Sequence, residues 1–219
     1  MEIRDGFIVA VHEYCDRWCE RCAFTSYCRV FAAEAEAEAS FDPNMRPVVD
    51  APARDSRSFP ALWIDEDEPV PLPGVPPERQ AIDDLALAYV MKIHERLPAC
   101  GDSSSNASEP RRIIARFAIL IAMKVHRALM VWPDDRPADL PGTTDQDGSA
   151  KTALIAIDRS HVAWGELVAR GDMSEAEAAP FVAHLTQLRK TLERLRPHAR
   201  RFIRPAFDEP HELARLTLI

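Results

Sequence analysis

The sequence predicts an all-α protein, a single domain over residues 1–219 built as a bundle of about five or six helices. In four long stretches apolar residues recur every three or four positions, which is the pattern of amphipathic helices. No alternating β-branched run bounded by turn residues lies between these stretches, so a parallel sheet is disfavoured. The composition, 47% apolar and 28% charged, is that of a globular chain long enough to bury a substantial core.

The first segment, residues 5–39, is predicted to form a helix-loop-helix that carries most of the cysteines. Its first helix is expected to begin near Asp5 and to continue through Cys22. After a turn, Thr25 and Ser26 are the side chains that would cap a second helix. That helix is expected through the alternating Glu and Ala of residues 33–39, which favour helix but have little surface to bury.

Four of the five cysteines follow the pattern C-x3-C-x2-C-x5-C: they are Cys15, Cys19, Cys22 and Cys28. On one continuous helix the first three would fall within about 60° of arc, and the fourth would point roughly the opposite way. The chain must therefore turn between Cys22 and Cys28 for four thiols to meet. With that turn they are predicted to form one metal site, with three ligands from the first helix and one from the start of the second.

Four thiolates suit either an iron–sulfur cluster or a closed tetrahedral zinc site. Structural zinc sites commonly use two separated pairs of ligands, whereas this run places all four close together in the sequence. We therefore expect an iron–sulfur cluster, with the [4Fe–4S] type favoured, and keep zinc as the alternative. Reduced thiols that only pack as small apolar groups are the remaining interpretation, and four in so short a stretch disfavour it.

The segment from Cys19 to Cys28 reads C-x2-C-x5-C, with Phe24 after the second cysteine, and resembles the iron–sulfur staple of RecB-like and Cas4-like nucleases. The resemblance covers about ten residues. In those families the fourth cysteine usually lies far upstream, and here Cys15 would take its place. The strand-borne carboxylates and lysine of the nuclease core are not visible in this sequence, so the resemblance implies a cluster type and not nuclease activity.

The cysteines also share a spacing with a second family. Cys15, Cys19 and Cys22 have the C-x3-C-x2-C pattern of the radical SAM motif, in which one iron stays open for the cosubstrate. Those enzymes need a large α/β barrel, and Cys28 would close the open iron. This family is therefore set aside.

Residues 40–77 are predicted to form a Pro-rich, acidic linker. Nine of the eighteen prolines lie between residues 41 and 77, so regular structure is not expected there. Charge is uneven along the chain: residues 32–69 hold ten acidic residues and three arginines, whereas residues 189–204 hold seven Lys or Arg and one Glu. Solvated surfaces are the simplest interpretation of these runs, and a basic C-terminal surface that binds an acidic partner or nucleic acid is the alternative.

The core of the bundle is predicted over residues 78–204. Its first helix has Pro77 at the first helical position and ends before Pro98. Its second helix spans residues 111–132 and is the most apolar in the chain, which places it at the centre of a bundle. The expected buried positions of these two helices are Ile82, Ala86, Tyr89 and Ile93, and Ile113, Phe117, Leu120 and Met123.

The third core helix is predicted over residues 150–169, with Asp147 or Ser149 as its N-cap. The fourth begins after Ser174, which forms a capping box with Glu177. Residues 205–219 are expected to form a C-terminal tail. The expected inward positions of the two helices are Leu154, Ile157, His161 and Trp164, and Phe181, Leu185, Leu188, Leu192 and Leu195.

Three histidines lie on or beside the apolar stripes: His126, His161 and His184. Together with Asp158 and Glu166 they suggest a metal site inside the bundle, but the two Glu-x-x-His motifs of di-iron carboxylate proteins are absent from the sequence. Hydrogen-bonded core or rim histidines are therefore expected. His12 is a separate case, because it lies one turn before Cys15 and is an alternative metal ligand.

Charge and segment composition restrict the location and the partners. The net charge of -8 argues against broad nucleic-acid binding. No secretory signal is recognised near the N-terminus, and the longest apolar run, residues 117–123, is too short to cross a bilayer. Reduced thiols at a metal site fit the cytoplasm better than disulfides do.

The sequence therefore predicts a cytoplasmic iron–sulfur protein whose cluster is structural or transfers electrons, with a protein or redox partner. The first alternative is a zinc-stapled adaptor that binds a protein without catalysis. The second is a metalloenzyme that uses histidines and carboxylates within the bundle. The sequence defines neither a reaction nor an oligomeric state.

Overall fold

The computed structural model describes residues 2–39, 77–97, 108–130 and 145–208. Over these ranges the secondary structure consists of six α-helices, three single 3-10 turns and one two-stranded hairpin, so the predicted all-α bundle is confirmed. None of the described helices is long and apolar enough to cross a membrane. The predicted linker before Pro77, Cys100 and the tail beyond residue 208 lie outside the described residues.

The elements follow one another from a small hairpin to long helices. The hairpin pairs β1 (Ile3–Arg4) with β2 (Phe7–Ile8) in antiparallel register. The helices are α1 (Val11–Tyr14), α2 (Arg29–Ala39), α3 (Pro77–Arg96), α4 (Glu109–Leu129), α5 (Asp145–Ala169) and α6 (Glu175–Leu195). As expected, α2 is largely exposed along its length.

Helices α3 to α6 form an antiparallel four-helix bundle in which each helix packs against two neighbours. The contacts that establish the antiparallel order are His126 with Asp83, Arg127 with Asp145, Trp164 with Phe181, and Arg194 with Glu78. Up-and-down packing of this kind buries one apolar stripe of each helix on a common axis.

The largest side chains of the bundle core meet between α3, α5 and α6. The Trp164 ring stacks on Phe181 with 4.4 Å between centroids, and the Trp164 indole N–H donates to the Tyr89 hydroxyl at 3.2 Å. Trp164 and Tyr89 are both fully buried, and burial raises the pKa of Tyr89. This hydrogen bond therefore gives both buried polar groups a partner within the core.

The predicted apolar stripes are largely confirmed. All four predicted positions of α3 are buried, as are Phe117 and Leu120 of α4. The prediction that Met123 is buried is wrong, because its side chain is 55% exposed. The next residue, Lys124, is buried instead, and its ammonium donates to the His12 carbonyl of the N-terminal segment.

The N-cap residues predicted for α5 and α6 have different outcomes. The capping box of Ser174 and Glu177 is confirmed: each side chain accepts the other residue's backbone N–H. The predicted start of α5 is wrong, since the helix begins at Asp145 and contains Asp147 and Ser149.

The first segment differs from the predicted helix-loop-helix. Asp5 and Gly6 both have positive φ, 53° and 81°, and connect β1 to β2 as a two-residue hairpin loop. Ala10 and Arg17 also lie in the left-handed region, with φ of 55° and 53°. These conformations interrupt helical hydrogen bonding, so the expected long helix is reduced to the four residues of α1.

Two single 3-10 turns, Cys19–Arg21 and Thr25–Tyr27, connect α1 to α2. We call residues 2–28, from the hairpin to the start of α2, the N-terminal corner. Its apolar cluster is separate from the bundle core and includes two residues that follow α6: Ile8, Val11, Tyr14, Cys15, Phe24, Cys28, Phe202 and Ala206. The chain beyond α6 therefore packs on the N-terminal corner.

Candidate metal site

The four predicted ligands lie at the ends of short elements rather than along one helix. Cys15 follows α1, Cys19 and Cys22 stand at the two ends of the first 3-10 turn, and Cys28 immediately precedes α2. The Cys28 carbonyl accepts the Ala32 N–H at 3.0 Å, so Cys28 occupies the N-cap position of α2. The expected set of three ligands from the first helix is therefore wrong, although all four residues lie in the N-terminal corner.

The four cysteines line two adjoining grooves. The first, of about 610 Å³, is lined by Cys15, Cys19 and Cys28 and by residues of α4. The second, of about 660 Å³, is lined by Cys22 and by residues of α5. Asp16 and Trp18 line both grooves and separate them. Cys15 and Cys28 are buried, whereas Cys19 and Cys22 are half-buried.

The four cysteines are free thiols close enough to influence one another electrostatically. Burial raises the pKa of Cys15, Cys19 and Cys22, and neighbouring thiols raise it further in each case. Clustered thiols resist losing their protons together because the resulting thiolates repel one another. A bound cation relieves that repulsion, so metal uptake at this corner would release protons.

Two thiols accept backbone N–H groups from the residue two positions later in the chain. The Phe24 N–H donates to Cys22 Sγ at 3.4 Å, and the Arg17 N–H donates to the Cys15 thiol and lowers its pKa. Arg17, which donates to Cys15, has a positive φ. Its carbonyl accepts a hydrogen bond from the Arg116 guanidinium. Such donors stabilise a sulfur that carries negative charge, as a metal-bound thiolate does.

The N-terminal corner is attached to the bundle through the carbonyl groups of α1. Lys124 of α4 donates to the carbonyls of His12 and Glu13. The Thr152 hydroxyl of α5 donates to the Tyr14 carbonyl at 2.9 Å. These carbonyl groups lie at the end of a helix that is too short for them to form intrahelical hydrogen bonds. Donors from α4 and α5 therefore form those hydrogen bonds instead.

Side chains of the N-terminal corner also form ion pairs with α4 and α5. Asp16 pairs with Arg159 at 2.8 Å, and Arg21 pairs with Glu109 at 2.6 Å while its guanidinium lies 4.2 Å from the Trp18 ring. These pairs join the corner to α4 and α5 at its exposed edge, where each is worth little alone. Together with the buried contacts they set the corner's orientation on the bundle.

Within the part of the chain that the structure describes, no three His, Cys, Asp or Glu side chains are arranged to hold a single metal ion. Four thiols on one small corner are nevertheless the densest set of metal-ligand side chains that the sequence predicted.

The three bundle histidines lie between three different pairs of helices. His126 contacts Asp83 of α3 at 3.1 Å, and His161 contacts the Thr186 hydroxyl of α6 at 3.4 Å. His184 donates through Nε2 to the Leu85 carbonyl at 2.7 Å, and its Nδ1 lies 3.2 Å from Lys92 Nζ. Each ring is engaged in its own hydrogen bond, as the sequence interpretation of core or rim histidines expects.

His184 gives a pH-dependent prediction for stability. Burial is the main cause that lowers its pKa below the ordinary value of 6.5, and the Lys92 charge acts in the same direction. The folded state therefore holds the ring neutral, and below about pH 6.5 the unfolded state binds more protons. We expect the free energy of unfolding to decrease between about pH 7 and pH 5, and to decrease less in His184→Gln.

The measurement is urea unfolding at both pH values, with His94→Gln as the control because His94 is an exposed histidine on α3. The control should keep the wild-type decrease. An identical pH response in His184→Gln and wild type would show that this buried ring does not contribute.

The burial of Lys124 was not predicted, although the sequence contains a signal for it. Lys124 continues the buried stripe of Phe117, Ile121 and Ala128 at helical spacing, so the pattern places a charged residue on an apolar face. A buried lysine must find acceptors or a counter-charge. The acceptors here belong to α1, which sequence reasoning placed inside a longer helix whose carbonyls would already be paired.

No family model matches this chain, and neither the curated proteins nor the solved structures include a significant match to it.

Proposed function

We propose that this chain is an iron–sulfur protein in which Cys15, Cys19, Cys22 and Cys28 bind the cluster, most simply of the [4Fe–4S] type. The observation that supports the proposal is that four free thiols lie within one short corner of the chain, and two of them accept backbone N–H groups. The local resemblance to a nuclease iron–sulfur staple supports the same cofactor. The role proposed for the cluster is structural or electron transfer.

The charges around the thiols are mixed. Arg17, Arg112 and Arg116 line the first groove together with Asp16, Glu20 and Glu34, and the positive charges of Lys124 and Arg17 act to lower the pKa of Cys15. Positive charge near a thiol favours its thiolate form. Free thiols in all four described cysteines agree with a reducing compartment, and we include a cytoplasmic location in the proposal.

The zinc-stapled adaptor uses the same four cysteines and is the alternative proposal. Its predicted basic surface, residues 189–204, is partly occupied within the chain: Arg194 pairs with Glu78, Arg204 with Asp208, and Arg200 with Asp158. These pairs leave less charge for an acidic partner. The histidine and carboxylate metalloenzyme is weaker still, because its three histidines lie between different helix pairs.

Anaerobic purification followed by a visible spectrum and analysis for iron, zinc and acid-labile sulfide tests the cofactor. We expect a brown protein that contains iron and sulfide, and at least a tenfold loss of both in Cys22→Ser, on the order expected when a metal-binding thiolate is removed. The matched control is Cys100→Ser, which removes the cysteine outside the four-cysteine run.

A colourless protein with about one zinc per chain, lost in Cys22→Ser, would replace the cluster by the adaptor proposal. Equal iron content in Cys22→Ser and wild type would remove Cys22 from the ligand set.

A further inference from the structure

The outer face of α3 and α4 exposes a group of large apolar side chains. Among the described residues, eight large apolar side chains are exposed, and four of them lie on these two helices. Each of the four is between 52% and 59% exposed. We call this group the α3–α4 surface, and its members are Leu87, Met91, Ile119 and Met123. Scattered apolar residues are ordinary on a protein surface, whereas a contiguous group marks an interaction site.

The register between the two helices makes this group contiguous. His126 contacts Asp83 at 3.1 Å, so these two residues lie at the same level along the bundle axis. Leu87 lies one turn beyond Asp83 on α3. Met123 lies one turn before His126 on the antiparallel α4, and therefore at nearly the same level as Leu87. The other two members follow one turn further on, since side chains four residues apart share a helix face.

Opposite charges flank the apolar group at one end. Glu95 is exposed on α3, one turn after Met91, and the same register places it at a level midway between Arg112 and Arg116 of α4. The Arg116 guanidinium donates to a backbone carbonyl, and Arg112 lies 3.7 Å from Glu109. Within the described part of one chain, Glu95 forms no ion pair with either arginine. These charges are therefore not neutralised by each other inside the chain.

Residues at one level face each other across a twofold axis that runs parallel to the helices. Such an axis keeps the level of every residue and places α3 of one copy against α4 of the other. The apolar residues of the two helices then meet, and Glu95 lies between the two arginines of the second copy. A twofold axis perpendicular to the helices would instead bring Glu95 towards the exposed Asp84 of the other copy. Like charges disfavour that arrangement.

We propose that a second copy of this chain docks on the α3–α4 surface and forms a dimer about a twofold axis parallel to the helices. Apolar side chains meet at the centre of the interface. Glu95 pairs with Arg112 and Arg116 of the second copy at its edge, and the symmetry repeats these contacts. Because the same surface is used by both copies, the assembly closes at two. The interface is small, so we expect a dissociation constant on the order of 10 µM.

Sedimentation equilibrium of the purified full chain, above and below that concentration, measures the association. A salt concentration of about 150 mM screens the repulsion between copies of net charge -8. We expect Leu87→Gln to raise the dissociation constant at least about tenfold, because it removes an apolar contact that the symmetry repeats. The matched control is Val162→Gln, since Val162 is exposed on α5, outside the α3–α4 surface. It should dimerise as wild type does, and far-UV circular dichroism checks that both variants are folded.

Two charge-reversed variants test the arrangement of the copies. Glu95→Arg and Arg112→Glu should each raise the dissociation constant at least about tenfold, because each homodimer then holds two like-charge contacts. An equimolar mixture of the two variants restores opposite charges at both contacts. It should therefore form a mixed dimer with an affinity close to that of wild type.

A wild-type chain that remains monomeric about tenfold above the expected dissociation constant would overturn the proposal. The surface would then have another occupant, either another part of the same chain or a different protein. An equal effect of Leu87→Gln and Val162→Gln, or an oligomer larger than two, would overturn it because a different surface would hold the copies together. A mixture of the charge-reversed variants that does not recover affinity would contradict the proposed axis. The cluster is tested separately, by iron and sulfide content.

Discussion

Removing the proposed cluster is expected to open the N-terminal corner while the four-helix bundle stays folded. Trypsin should then cut after Arg17, Arg21 and Arg29, which are exposed in the corner and at the start of α2, at least about tenfold faster than in the loaded protein. The physical reason is that the corner has little regular structure of its own. It contains one four-residue helix, two 3-10 turns and a hairpin with two residues in each strand.

A cluster bound by the four cysteines would add to the order of such a corner, because ligand binding contributes directly to folding. The bundle has a separate core, formed mainly by α3 to α6, which contains none of the four cysteines. Far-UV circular dichroism should therefore change little when a chelator removes the metal. Cleavage sites are read by mass spectrometry, which separates cuts in the corner from cuts elsewhere.

The matched pair of variants is Cys22→Ser and Cys100→Ser, both analysed after the same purification. Cys22→Ser should show the fast cleavage without a chelator, whereas Cys100→Ser should resist trypsin as wild type does. Cleavage at the same rate with and without metal would contradict this prediction and show that packing and hydrogen bonds alone hold the corner.

Replacing Trp164 by alanine is expected to lower the free energy of unfolding by roughly 3–5 kcal/mol, the range typical of large aromatic side chains removed from a core. Trp164 is fully buried, and its loss removes the stacking contact with Phe181. It also removes the indole donor that contacts the Tyr89 hydroxyl. The space left between three helices cannot close without moving them, so the penalty should lie in the upper part of the range for core substitutions.

Urea unfolding followed by circular dichroism measures this effect. Val162→Ala is the control on the same helix, because Val162 is 63% exposed, and its change should stay within about 0.5 kcal/mol. Trp164→Phe keeps an aromatic ring and should be clearly milder than Trp164→Ala. Similar stabilities for Trp164→Ala and Val162→Ala would mean that Trp164 does not belong to the cooperative core.

The bundle and the corner differ in how far the sequence predicted them. Helices α3 and α6 were predicted nearly in full, because Pro77, the capping box at Ser174 and long apolar stripes act locally and agree with one another. The four-cysteine run likewise identified the candidate ligands. The corner was predicted poorly, although Asp5-Gly6 is a hairpin signal that was available in the sequence.

By itself, the sequence determined the all-α class, the bundle helices and the identity of the four clustered cysteines, since periodicity, capping and ligand spacing are properties of neighbouring residues. Only the tertiary structure decided how the corner turns and which charge lies beneath it. Arg17 adopts a left-handed conformation because its N–H contacts Cys15 and its carbonyl contacts Arg116 of α4. Lys124 is buried because α1 ends with carbonyls that need donors. The conformation of Arg17 and the burial of Lys124 both depend on partners that are distant in the chain. No local sequence pattern specifies such partners.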